Sequence, residues 1–217
     1  MIAALALLSC ASPTVVSPSS PGPSARPSST ELVLPKVHEH FMVRIGPIAA
    51  GLARDAGIDL GAAVESALQR IDDALPGPPI AIQLEVDPFL AIPEIGIGGF
   101  SDPRSGSVRI ALGTRPPAGL PAVIRDWLGP SLAHEIHHSR RSLRGPGDGT
   151  TTGEARVSEG LAGAFVFHVY TGSTRPPWIP SLCPRHLTQA WLALTRVDLG
   201  TAAHSPPTPH SSFCTPS

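Results

Sequence analysis

The segment His134-Glu135-Ile136-His137-His138 places three of the chain's nine histidines and a glutamate in five consecutive positions. On an α-helix successive residues turn by about 100°, so His134 and His138 point within about 40° of each other and Glu135 projects beside them. Two imidazoles then face one point with a carboxylate next to it. That arrangement suits zinc, whose catalytic sites take three protein ligands and leave one position for water, while the adjacent Glu serves as general base. His137 projects from the other side of His134. It reads as a packing or supporting residue, with an i, i+3 pair to His134 as the alternative. An HExxH arises by chance in about one such sequence in a hundred, so the surrounding chain has to carry the rest of the assignment.

A chain of 217 residues has room for one sizeable core with flanking extensions. The formal net charge is −1 and only 15% of residues are charged, which lacks the basic surplus that a phosphate backbone requires. Nucleic acid is therefore not an expected partner. The 26 prolines and 21 glycines are many for a packed domain, but many of the prolines fall in the first 30 residues, in the last dozen or in short turns, leaving the middle able to pack.

Residues 2–8 form an apolar run too short to span a bilayer but long enough for the hydrophobic part of a signal peptide. The run ends in Leu7-Leu8-Ser9-Cys10, which resembles a bacterial lipobox and would make Cys10 a lipid anchor. A plain cleaved apolar start is the alternative. Residues 11–30, mostly Ser, Pro, Ala and Thr, cannot bury enough apolar surface to offset the entropy of ordering them, and read as a flexible tether. The expected organisation is a signal segment over 1–10, the tether over 11–30, a domain over 31–200 and a disordered Pro/Ser/Thr tail over 201–217. In an exported protein at the bacterial cell envelope, Cys183 and Cys214 are either one disulfide or two unpaired thiols.

Within the domain, residues 33–75 read as mainly helical. Ala63, Ala67, Leu68, Ile71 and Leu75 share one face of the second helix, Asp59 serves as its cap, and Pro76-Gly77 ends it. Residues 79–87 alternate apolar and polar like a half-buried strand. Asp-Pro-Arg-Ser-Gly at 102–106 predicts a hairpin whose second strand is Ser107 to Leu112. Ala122 to Leu128 reads as helical, Pro130 as a new first turn or a kink, and the helix continues to about Leu143. A loop over 144–153 leads to a second helix from Glu154 to Tyr170, rich in small residues. A short helical segment is expected near His186 to Thr195.

On that second helix stands Ser-Glu-Gly-Leu-Ala-Gly-Ala-Phe, with Glu159 twenty-one residues after His138. A loop and helical return of that length can bring a carboxylate back as third ligand. Here the chain resembles the gluzincin metallopeptidases. More narrowly, HEIHH followed by EGLAGAF is similar to a bacterial family of predicted zinc-dependent proteases marked by HExxHH and EGLA, over about residues 80–195. The resemblance implies an α+β, zincin-like fold: a small mixed sheet whose edge strand packs on the HExxH helix, with a second helix carrying the third ligand. It implies Zn²⁺ held by His134, His138 and Glu159, Glu135 as catalytic base, and a peptide or protein substrate. Ser107 to Leu112 is the candidate edge strand for a substrate, with Gly96 to Phe100 lining its approach.

Related sites often carry an acidic residue four positions after the glutamate ligand, to orient a histidine; here that position is Gly163. Glu154 is a weak substitute, so the orienting group stays unassigned. For a group that stabilises the developing oxyanion, Tyr170 lies about 16 Å along the helix from Glu159, too far for a direct role. His168 falls on the opposite face. His186, beside Arg185, is the leading candidate, with a solvated surface position as its alternative. His38-Glu39-His40 has the wrong spacing for a helical pair and reads as surface; Trp127, Trp178 and Trp191 read as core or lid anchors. The function these residues point to is peptide-bond hydrolysis by a zinc-activated water, in an exported, lipid-anchored protein. The alternatives are an inactive zincin-fold lipoprotein that binds a partner, and a tethered structural protein.

Overall fold

A computed structural model describes residues 31–34 and 40–170. The chain order is β1 (Leu32–Val33), β2 (Phe41–Ile45), α1 (Pro47–Asp55), α2 (Leu60–Ala74), β3 (Ile80–Val86), β4 (Ile97–Ser101), β5 (Val108–Leu112), α3 (Leu120–Val123), α4 (Gly129–Arg144) and α5 (Thr152–Val169). Five strands form one mixed sheet in the order β1-β2-β3-β5-β4. β2, β3 and β5 run parallel, and β1 and β4 are antiparallel additions at the two edges. The architecture is α+β, as expected, with α4 and α5 packed together and α4 lying across β4 and β5.

Alternation of side chains produces the core. Phe41, Val43 and Ile45 of β2, Ile80, Ile82 and Leu84 of β3, and Val108, Ile110 and Leu112 of β5 point to one face and are buried. The opposite face carries Arg44, Gln83, Glu85 and Arg109, and there Arg109 makes a charged pair with Glu85 at 2.7 Å. The β2 segment departs from the helical expectation for residues 33–75. Phe41-Met42-Val43-Arg44-Ile45 has period two, and pairing to β3 rewards that period directly. α1 begins only at Pro47. His40, expected as a surface position in an early helix, lies just before β2 with Nδ1 2.8 Å from the Asp72 carboxylate; His38 and Glu39 are outside the described residues.

α2 follows its sequence closely. The Asp59 carboxylate accepts from Ala62 N–H at 2.9 Å, and Leu60, Val64, Ala67, Leu68 and Ile71 form its buried face. The 102–106 turn is also as read, with Asp102 accepting from Arg104 N–H at 2.9 Å. The candidate edge strand is corrected: β5 sits inside the sheet between β3 and β4, and β4 is the edge. The reason is topological. A strand returning through a tight turn must lie beside its partner, and β5 takes the parallel position next to β3, which displaces β4 outward.

Before α4 the chain passes from α3 through one wide, π-helical turn, Ile124–Leu128. Pro130, in the first turn of α4, has no N–H to give to the preceding turn, so that turn opens without ending the helical path. Pro130 thus stands in a new first turn, one of the two roles expected for it. Trp127 packs partly buried against the core. No helix of the described residues is long and apolar enough to cross a membrane. Cys10, Cys183, Cys214, Trp178 and Trp191, the tether and the tail lie outside the described residues.

Leu132 of α4 is fully buried. Replacing it with Ala is expected to destabilise the domain by about 2–5 kcal/mol through lost contact and a residual cavity; urea unfolding monitored by circular dichroism measures this.

Candidate metal centre

α4 presents two functional faces at once. Leu132, Ala133 and Ile136 enter the core with no exposed surface, and this locks the helix about its own axis. His134, Glu135 and His138 are thereby turned toward α5 and the β4 edge. On α5, Thr151 caps the Glu154 N–H while the Glu154 carboxylate accepts from Thr151 N–H at 3.0 Å, a reciprocal capping box that fixes the start of the helix. Glu154 is thus occupied at the helix end and does not orient a ligand. One turn and a half later the same helix delivers Glu159.

The three expected ligands converge. His134 Nε2 lies 3.1 Å from Glu159 Oε2, His138 Nε2 lies 3.1 Å from His134 Nε2, and Glu159 Oε1 lies 3.5 Å from His138 Nε2. Zinc–ligand bonds of about 2.0–2.1 Å imply a ligand-to-ligand spacing of about 3.3 Å in a tetrahedron. Taken over both oxygens of Glu159, the separations of 3.1–3.5 Å are of that size, and one atom from each residue lies within 4.8 Å of the others. The donor set, two imidazole nitrogens and a carboxylate oxygen, also matches a catalytic zinc site. Among the described residues this is the one group of three or more potential ligands that is close enough to hold an ion.

The three residues border a cleft of about 210 Å³ that is lined as well by Gly99, Phe100, Ser101, Glu135 and Asp148. Glu135 lies directly against Gly99: a Cβ there would come within 2.5 Å of Glu135 Cγ and 2.7 Å of Oε1. Glycine in β4 thus makes the space in which the carboxylate sits. Burial pushes the Glu135 carboxyl up to about 7, partly opposed by the neighbouring imidazoles. Two residues further along the same face of β4, Ser101 is buried, and its hydroxyl makes no hydrogen bond among the described residues. Sequence reasoning passed over Ser101; its signal was two-residue spacing from Gly99 on a strand bordering the HExxH helix.

The other ring nitrogen of His138 meets the loop between the ligand helices. Nδ1 lies 2.8 Å from Asp148 Oδ1 and 3.2 Å from Ser158 Oγ. Burial would lower the His138 pKa, but hydrogen bonds to Glu159 and Asp148 outweigh it and raise the value to about 9. Hydrogen bonds from His134 and His138 hold Glu159 well below the ordinary carboxylate range. The electrostatics around the two imidazoles favour a cation.

His137 takes the packing role expected of it, its ring 5.6 Å from that of Phe165. Tyr170 ends α5 far from the cleft, its ring covering Gly129, which agrees with the distance argument against it. His168 is exposed, and His186 and Arg185 lie outside the described residues. Gly163 is buried and brings no side chain to the ligands.

Residues 123–205 match the family model described as Predicted Zn-dependent protease (DUF2268). The match contains both ligand helices. No curated protein and no solved structure matches the chain.

Burial and the charges of His138 and Arg141 depress His137 to about 4, against an ordinary value of 6.5. The unfolded chain therefore binds the extra proton first. The contribution of His137 to stability is present above pH 6.5 and lost as pH falls toward about 4. In metal-free protein, His137→Phe is expected to show a shallower fall in unfolding midpoint over this window than wild type, measured by chemical denaturation at stepped pH.

Proposed function

We propose that this chain, whose residues 123–205 match the predicted Zn-dependent protease family and contain an HxxxH…E group able to hold a metal ion, cleaves peptide bonds of an extended substrate laid along β4. The observation that carries the reading is the convergence of His134, His138 and Glu159 at one cleft that Glu135 also lines. His134, His138 and Glu159 would hold the ion. Bound there, zinc supplies Lewis acidity, which makes water a nucleophile near neutral pH and polarises a carbonyl.

The remaining steps belong to the protein. Glu135, raised toward 7 by burial, is matched to take a proton from the attacking water and deliver it to the leaving amine. Among the described residues the outer edge of β4 is bridged only at Ile97, by Ile92 N–H, so beyond Ile97 it offers backbone donors and acceptors to a peptide that adds as a further strand. Gly99 lets that peptide and Glu135 approach the same place. For location, the apolar run over 2–8 and the lipobox-like Leu7-Leu8-Ser9-Cys10 support export with a lipid anchor at Cys10, and the Ser/Pro segment supports a tether. Mass analysis of the mature N-terminus tests that part.

Purified protein is expected to hold one zinc per chain, lost in His138→Ala and Glu159→Ala. Glu135→Gln is expected to keep the zinc and lose about 10²–10⁴-fold in peptide hydrolysis. Elemental mass spectrometry beside a peptide-library cleavage assay reads both. Zinc bound without hydrolysis of any peptide would leave a zincin-fold binding lipoprotein.

Gly99→Ala is a separate expectation. The methyl group must displace Glu135, so turnover should fall by at least about tenfold, in line with the sensitivity of positioned groups to shifts of about 1 Å. Zinc content should stay at the wild-type level.

A further inference from the structure

The α5 residue four positions after Glu159 is a glycine, so the outer nitrogen of His138 must be satisfied from elsewhere. The loop joining the two ligand helices does this. We propose that Asp148, supported by Ser158, is the positioning residue of the metal centre, fixing the His138 ring through Nδ1 so that Nε2 is the nitrogen given to the ion. For its metal-binding consequence this rests on the zinc-protease reading.

The contacts are short, and two of the three groups are buried. Asp148 Oδ1 lies 2.8 Å from His138 Nδ1 and accepts from Ser158 Oγ at 2.5 Å. Ser158 is fully buried and His138 is 5% exposed, so neither group has water as an easy substitute. An ionised carboxylate only accepts, so Nδ1 carries the hydrogen, and when the ring gives up its other proton to an ion Nε2 is the nitrogen left with a lone pair. A carboxylate on the outer nitrogen also raises the basicity of the imidazole as a ligand and removes the entropy of ring rotation.

The loop is shaped to present this one side chain. Gly147 and Gly149, on either side of Asp148, have φ of 68° and 81°, a left-handed region that residues with a Cβ adopt only with strain. Arg141, one turn after His138, donates from Nε to the Gly147 carbonyl at 2.6 Å. On the far side, Thr150 N–H and Thr151 N–H both donate to the Glu154 carboxylate, at 2.8 and 3.0 Å. The two halves of the loop are thus pinned to α4 and to α5, and Asp148 stands between the pins. Gly147-Asp148-Gly149 is a sequence feature with a structural reason, placed ten residues after the ligand that it orients.

The test uses full-length protein with zinc, and with cobalt(II) as a spectroscopic substitute. Asp148→Ala is expected to weaken zinc binding by about 10–100-fold in chelator competition and to change the cobalt absorption bands. Ser158→Ala should do the same to a smaller degree, and Asp126→Asn, at an exposed pair with Arg125, should do neither. In metal-free wild type, His138 Nδ1–H should appear as an exchange-protected downfield proton resonance that Asp148→Ala removes. A folded Asp148→Ala protein with wild-type zinc affinity and an unchanged cobalt spectrum overturns the proposal. Should that variant not fold, Asp148→Asn and Ser158→Ala decide it: wild-type affinity in both overturns it, and weakened binding in both supports it. If wild type takes up no zinc, the protease reading fails, and the ring proton then judges Asp148 alone. Its presence in wild type and loss on substitution support the positioning contact, and its absence from wild type overturns it.

Discussion

The rotation of α4 about its own axis is the constraint on which the site depends. Leu132, Ala133 and Ile136 are completely buried, while His134, Glu135 and His138 alternate with them along the same two turns. Burying a Leu or Ile side chain contributes about 1.5–3 kcal/mol, so turning the helix by one residue would exchange apolar contact for buried imidazole and carboxylate. Packing therefore sets the azimuth of the ligands before any ion is involved. The wide turn at Ile124–Leu128 serves the same end, because it adjusts the path of the chain upstream of Pro130 without breaking the helix that carries the ligands.

Two adjacent histidines show how the same residue type is driven in opposite directions. Burial beside Phe165 and the positive groups of His138 and Arg141 depresses His137 to about 4. His138 is buried too, yet hydrogen bonds to Glu159 and Asp148 raise it to about 9. One residue of helix separates a neutral, apolar-facing ring from one held between two carboxylates. This contrast divides HEIHH into a pair of ligands and a packing residue, although the letters H and H give no hint of it.

Much of this was legible because the relevant patterns are local. HEIHH and Glu159 sit on helices whose periodicity and caps are written in neighbouring residues, and the ligand set read from them is the set that converges. The α2 cap at Asp59 and the turn at Asp102 were equally readable. The errors fall where distant pairing decides. Phe41–Ile45 was read as helix because it lies among helical neighbours, and only its partner β3 makes period two the winning pattern. The edge strand was assigned to β5 rather than β4 because strand order is a property of the whole sheet. Asp148 was missed since it lies in a stretch read as mere loop, and nothing in a linear spacing reveals that a loop carboxylate turns back onto a helix.

The short reach of the α4–α5 connection also bears on how the molecule comes into being. His134 and Glu159 are 25 residues apart and joined through two helices and a compact loop, whereas the sheet needs the long crossover that brings Phe41 beside Ile80. Helical hairpins close on faster timescales than parallel strands pair. The ion-binding corner is thus the part of the domain able to assemble first, and a ligand captured at that stage pulls the hairpin equilibrium toward order by mass action. The geometry of that corner is completed only when α4 packs on the sheet, so local closure and distant strand pairing contribute at different stages of folding.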